Sequence, residues 1–367
     1  MQLGLVAALL IAGIIIGVIF PGRLTGVFGA ATLYFFLPAL IYEGAWRLEP
    51  RAMGRMWGPI LMLAVPGVIC TAAIIAVCVH YLGGIGWIPA LLLGAILSAT
   101  DPVAVLAIFR RLRLPRSLLT IVESEALLND AVAVVIYRGV AAAAALTATA
   151  GLWQVTAHAA LGAFLGIVCG AAIGAAAAVL LGRTRQFIAY GVVTLAGAYG
   201  SYYLATRFDW SGIFGVLAFC IALRLLQQRR LDASCSEAVG RFWEGIALVA
   251  NAALFFLIGS AIDITQIGRA LPISLLTAAI VLGSRFAIVH GLLEFARPRL
   301  HLAWLTVVRM AGIRGALSLA LALAIPAGIA GRELVVNVTF VVVVLTLLIG
   351  LLTLEGRVKK LPLDMRA

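Results

Sequence analysis

The stretch Ser98–Val105, SATDPVAV, interrupts an otherwise apolar run that extends roughly from 86 to 109. Pro102 removes a backbone donor and its ring collides with the preceding turn, so the sequence predicts a broken helix here. Thr100 and Asp101 carry side-chain oxygens that can satisfy backbone groups released by the break. The problem is the aspartate, because a carboxylate in the middle of such a run is costly unless it serves something.

The surroundings say what kind of run this is. The chain has 367 residues, of which 64% are hydrophobic and only 11% charged. Its mean hydropathy is +1.14. A soluble domain of this size needs more polar surface than that. Apolar runs long enough to span a bilayer as helix follow one another from Leu3 to Leu354. They lie at roughly 3–20, 27–45, 57–80, 86–109, 117–144, 154–182, 187–206, 210–227, 242–262, 271–295, 302–327 and 333–354. The fold class predicted is an all-α polytopic membrane protein of about twelve transmembrane helices, multi-pass in the cell membrane. Leu3–Phe20 reads as the first span rather than a cleaved signal, and 355–367 as a short cytoplasmic tail.

A formal charge of +12 could suggest nucleic acid, but the arginines sit in short clusters between apolar runs. Even-numbered connections carry Arg47, Arg51, Arg55, Arg110, Arg111, Arg113, Arg116, Arg183, Arg185, Arg224, Arg229, Arg230, Arg241, Arg297 and Arg299, 15 of the 27 basic residues. Odd-numbered ones carry Arg23, Arg207, Arg269 and Arg332. This asymmetry places both termini in the cytoplasm, and the partner is lipid, not nucleic acid. The five cysteines show neither metal spacing nor a disulfide framework.

A second interruption, AGIRGALS at 311–318, has Gly312 and Gly315 around Arg314 in the eleventh run. Runs four and eleven are an odd number apart and therefore antiparallel. Two broken helices of opposite direction mark an inverted-repeat secondary transporter, with its site near the midplane. Arg138, Arg285 and Arg309 also lie within runs, as do Glu43, Glu123, Glu125, Asp130 and Glu244. In ESEALLND (123–130), Glu123 and Asp130 share a helix face, whereas Glu125 is turned about 140° away from Asp130. Glu125 needs another partner, and Arg314 is the arginine expected. Asp101 lies about 15 residues from the outer end of its run and Asp130 about 13 from the inner end of its own. At about 1.5 Å per residue both fall within a turn or two of the midplane, and the antiparallel turn FRRLRLPRS allows them to be neighbours.

TDPVAV, ESEALLNDAVAVVIY and GIRGALSLALAL, in that order, resemble the cation:proton antiporter-1 family of bacterial sodium/proton antiporters, related to the animal sodium/proton exchangers. FFLPALIYEGAW (35–46) and FWEGIALVANAALFFLIGSAI (242–262) add weaker matches, so the likeness covers nearly the whole chain. The resemblance implies a core domain of about 57–144 and 271–354 moving against a dimerisation domain of about 3–45 and 154–262. It implies that Asp130 binds either the cation or protons, with Asn129, Asp101 and Thr100 as polar support and sodium held at Asp130 and Thr100. Glu125 and Arg314 resemble the family's structural ion pair. Glu43 resembles an acid of the cytoplasmic funnel, and Glu123 is grouped with it on the Asp130 face. Ala126 departs from the pattern, because many members carry serine there.

The expected activity is therefore antiport of a monovalent cation, sodium first and lithium second, against a proton, with no cofactor. Small hard cations take oxygen ligands, and a carboxylate withdrawn from water favours its neutral form, so cation and proton compete for one site. Asn129 supplies hydrogen bonds without a second titrating charge, which points to electroneutral exchange. Potassium/proton exchange in the same fold stays open. A cation channel would need a continuous polar pore, and a non-transporting sensor would be expected to lose the acids or gain an output domain. Gly162, Gly166, Gly170 and Gly174 recur every four residues, a stripe for helix packing within the chain or between the copies of a homodimer. His80, His158, His290 and His301 do not cluster and read as structural.

Overall fold

The computed structural model describes residues 3–20, 31–48, 50–101, 103–145, 152–182, 186–227, 232–261, 264–296 and 300–361. Pro102, the basic residues Arg23, Arg183, Arg185, Arg229, Arg230, Arg297, Arg299 and Arg366, and the tail from 362 onward lie outside them. Every regular element among the described residues is helical.

In chain order these are α1 (Leu3–Ile19), α2 (Ala31–Arg47), α3 (Pro50–Arg55), α4 (Trp57–Gly83), α5 (Trp87–Ser98), α6 (Val103–Arg111), α7 (Arg116–Ala145) and α8 (Leu152–Leu181). There follow α9 (Phe187–Arg207), α10 (Gly212–Gln227), α11 (Ala233–Ala261), α12 (Ile264–Leu293), α13 (Leu302–Met310), α14 (Ala316–Leu323) and α15 (Arg332–Val358). Among the described residues, five helical stretches are long and apolar enough to cross a membrane: Trp57–Gly83, Ala157–Leu181, Ser234–Ala261, Gln266–Leu293 and Arg332–Val358.

The helices differ from the apolar runs chiefly at their ends. α11 begins at Ala233, nine residues before the run at 242, through the polar lead-in ASCSEAVGR. α14 stops at Leu323, and turns begin at 324 although the run extended to 327. A hydropathy window follows what can enter lipid, whereas a helix continues into water wherever its backbone still closes and its polar side chains remain solvated. α4 contains a π-helical turn at Leu63–Gly67 around Pro66, and Thr71 Oγ1 donates to the Gly67 carbonyl at 2.7 Å.

Cα packing divides the chain into two units. The first comprises Met1–Gly29, Arg51–Leu146 and Phe255–Ala367, and the second Ala30–Pro50 and Thr147–Leu254. This partition differs from the expected division in placing α1 and the last turns of α11 with the first unit. Glycines explain that contact: a Cβ at Gly13 would meet the Phe256 carbonyl, and one at Gly259 the Leu10 carbonyl, so the two backbones touch directly.

In the second unit the glycine stripe of α8 lies against α10. Side chains at Gly166, Gly170 and Gly174 would strike the backbone of Ser211, Gly215 and Phe219 respectively. The stripe thus packs within the chain, small residues letting two helices approach where lipid offers no hydrophobic drive. Nearby, Tyr42, Trp46, Phe219 and Trp243 form an aromatic cluster with ring centroids 4.2–5.8 Å apart. Arg224 covers the end of α2, donating to the carbonyls of Trp46 and Leu48.

Gly170→Val is expected to destabilise the purified protein by about 1–3 kcal/mol through overpacking. Gly191→Ala, whose new methyl meets nothing within 4 Å, should stay within about 0.5 kcal/mol. Thermal unfolding in detergent separates the two, and equal midpoints would contradict this packing.

Candidate functional site

The first unit contains both interruptions. Residues 99–101 separate α5 from α6's described start, and 311–315 separate α13 from α14. A helix end leaves four carbonyls or four amides without intrahelical partners, and in a membrane interior water cannot serve them.

Each break serves the other. The Arg314 Nη1 donates to the carbonyls of Ser98 and Ala99, both at 2.7 Å, closing the C-terminal end of α5. The Asp101 carboxylate accepts from the Ala316 amide at 3.2 Å, at the N-terminal end of α14. Between them the Asp101 amide donates to the Ile313 carbonyl at 2.7 Å, and Ser318 Oγ donates to Ile96 O at 2.9 Å. The signs are those of the helix dipoles, cation at a C-terminus and anion at an N-terminus. Glycine is required at 315, because any side chain there would overlap the Asp101 carboxylate.

The expected Glu125–Arg314 pair is corrected by this geometry. Glu125 pairs instead with Arg285 of α12, Nη1 to Oε1 and Nη2 to Oε2, both at 2.9 Å, a bidentate fork with both residues buried. Arg285 also donates to the Val308 carbonyl at 3.0 Å, near the C-terminal end of α13. Gly312 gives it passage, since a Cβ there would lie 2.8 Å from its Nε. Arg314 remains electrostatically coupled to Glu125, but its hydrogen bonds are spent on α5. Helical-wheel reasoning showed that Glu125 needed a buried cation. The arginine expected from sequence was Arg314, and packing supplies Arg285 of α12 instead.

On α7, Asn129 Nδ2 donates to Thr100 Oγ1 at 3.1 Å and to Glu125 Oε1 at 3.3 Å, so Asn129 joins the break to the ion pair. Asp130 Oδ1 and Asn129 Oδ1 are buried and accept no hydrogen bond among the described residues. Arg314 Nε and Nη2 are likewise buried without acceptors. The charged groups acting on Asp130 are Asp101, Glu125 and Arg314, and those acting on Arg314 include Arg285. These five groups form one cluster of three carboxylates and two guanidiniums. Among these five, acids outnumber bases by one. Ala126 is buried and brings no oxygen.

The remaining expected residues lie elsewhere. Glu123 pairs with Arg110 of α6 at 2.5 Å. Glu43, in the second unit, pairs with Arg47, which also stands 3.4 Å from Glu244. Arg309 stacks over Phe286 at 4.2 Å. His301 accepts from the Ala303 amide at the start of α13, and His80 stacks on Trp87 at 4.0 Å, both structural placements.

Arg285→Ala should cost about 3–5 kcal/mol, because it strands a buried carboxylate. Adding Glu125→Gln should return most of the folded yield, read by size-exclusion chromatography in detergent. Equal losses in the single and double variants would contradict the pairing.

The family model described as "Sodium/hydrogen exchanger, transmembrane" matches residues 1–360. The low-affinity sodium/proton antiporter NhaS1 of Synechocystis is 34% identical over 89% of this chain and 64% of its own length. The sodium/proton antiporter ApNhaP of Aphanothece halophytica is 32% identical over 93% of this chain and 66% of its own. The chain therefore spans slightly less than two thirds of the length of these two relatives. NhaH of Halobacillus dabanensis, also a sodium/proton antiporter, is 30% identical over 91% of this chain and 84% of its own length. The solved structure of the sodium proton antiporter MjNhaP1 from Methanocaldococcus jannaschii at pH 8 matches with a TM-score of 0.84. That match covers 98% of this chain and 92% of that one at 19% identity, a likeness of fold. With the family match running almost end to end, the chain belongs to the sodium/hydrogen exchanger family of multi-pass membrane transporters.

Proposed function

We propose that this protein exchanges a monovalent cation, sodium first and lithium second, for a proton at Asp130. The observation that carries the reading is the buried Asp130 Oδ1, which accepts no hydrogen bond among the described residues, on the helix that also places Asn129 against Thr100 and Glu125. An uncompensated buried charge is strongly unfavourable. One bound cation or one bound proton removes it, whereas both together would overcharge the site. Competition for that single vacancy of charge is sufficient for exchange. Because either occupant makes the moving site neutral, the expected stoichiometry is one proton per cation and the cycle is electroneutral.

The neighbouring groups have assigned tasks in this account. Asp130 is the exchanging carboxylate, with Asn129 Oδ1 and the Thr100 hydroxyl as neutral oxygens beside it. Asp101 and Arg314 keep the two breaks in register and are structural supports of the site. Glu125 and Arg285 are the ion pair behind it. An aspartate at 129 would face Glu125 where the amide now donates at 3.3 Å, adding both repulsion and a second titrating site. The names of the sodium/proton antiporter relatives support this choice of ions.

The architecture is proposed to follow. Twelve spans with both termini cytoplasmic, and α5–α6 and α13–α14 each forming one broken span, would give an inverted repeat crossing near the midplane. The first unit would be the mobile part carrying Asp130. The second unit would hold the homodimer contact, with Glu43 at its cytoplasmic funnel. Potassium/proton exchange is the second reading, favoured by Ala126: a site without that hydroxyl suits a larger cation that needs less compensation for its lost water.

Asp130→Asn is expected to abolish cation-driven proton flux in everted vesicles while folding and insertion persist. Flux retained at wild-type rates would sink Asp130 as the exchange site. In proteoliposomes, the wild-type rate should be indifferent to an imposed membrane potential, and a voltage-dependent rate would exclude one-for-one exchange. Running sodium, lithium and potassium in turn decides between the two cation readings.

A further inference from the structure

The α7 face that carries Asp130 has a second acid, and its partner is not part of the site described above. Glu123 lies seven residues before Asp130, hence on the same face and about 10 Å nearer the Arg116 end at 1.5 Å rise per residue. Its side chain keeps 14% of its exposure, so it stands in a recess rather than on open surface. Arg110 Nη2 donates to its Oε1 at 2.5 Å. Arg110 itself is 48% exposed. It is the penultimate residue of α6, the short helix that leads away from the Asp101 break. The next residue, Arg111, turns to another neighbour, Glu355 of α15, which Lys359 also contacts at 2.7 Å. Two successive arginines therefore tie the free end of α6 to two different helices.

We propose that the Arg110–Glu123 pair is a latch on the approach to Asp130, and that Glu123 is the carboxylate that receives a cation before Asp130 does. This rests on the reading of Asp130 as the exchange site. Unpaired, Glu123 would concentrate cations one step short of Asp130. Paired, it is neutralised by an internal cation that an incoming ion must displace. The displacement is easy because a half-exposed ion pair is weak and screened by salt. Arg110 swings into water while its position on α6 is kept by Arg111. A purely structural pair at this place would act on stability and leave the ion dependence alone.

The two readings predict different epistasis. In everted vesicles, Arg110→Gln should lower the sodium concentration giving half-maximal proton flux by about two- to fivefold, the range an exposed ion pair is worth. The maximal rate should not fall. Glu123→Gln should raise that concentration, and the double variant should match Glu123→Gln, because releasing a carboxylate that is absent has no effect. The Arg110→Gln gain should shrink at high concentrations of an inert salt such as choline chloride. An unchanged or raised half-maximal concentration in Arg110→Gln, or a double variant that returns to wild type, overturns the latch. Asp130→Asn measured alongside keeps the readings apart: flux surviving in that variant refutes the Asp130 site, whereas its loss together with an inert Arg110→Gln refutes the latch alone.

Discussion

Two helices broken inside a membrane pose a problem of unsatisfied backbone. Four carbonyls at one end and four amides at the other have no water to turn to. Here the breaks answer each other, Arg314 on the carbonyls ending α5 and Asp101 on an amide opening α14. Arg285 repeats the device at the Val308 carbonyl near the end of α13 while it holds Glu125. Backbone satisfaction thus brings buried charges into the centre of the first unit before any ion is considered. Their placement follows from helix ends, and the charge balance of the site is built on top of it.

That balance is what makes the site capable of work. Four of the five charged groups have hydrogen-bonded duties to backbone or to each other. Asp130 is the group left with a buried oxygen and no partner. In the proposed cycle, one small cation or one proton takes that position in turn. The proposed exchange needs no further catalytic group. The surrounding residues are closely packed, with glycine at 315 and 312 where side chains would collide with Asp101 and Arg285.

Much of this was legible in the sequence, for identifiable reasons. Hydropathy revealed the membrane class because lipid tolerates few alternatives to apolar helices. The breaks were legible because Asp101 and Arg314 are expensive where they sit. Register put Asp130 near midplane depth on the face of Glu123, whereas its proposed role came from the family resemblance. Partner choice was not: Arg285 and Arg314 are both buried arginines, and only tertiary packing sends the first to Glu125 and the second to Ser98 and Ala99. The ends of α11 and α14 were misjudged because apolarity reports insertion into lipid and not the limits of hydrogen bonding. The glycine stripe on α8 left its partner open until α10 was seen against it.

In the proposed exchange, one proton and one cation compete for Asp130. That competition is tested most directly by measuring protons released per cation bound, by calorimetry of the purified protein in buffers of different ionisation enthalpy. At a pH where the site is protonated, sodium binding should release close to one proton, and Asp130→Asn should bind no sodium and release none. Sodium binding without proton release, or release that persists in Asp130→Asn, would contradict it.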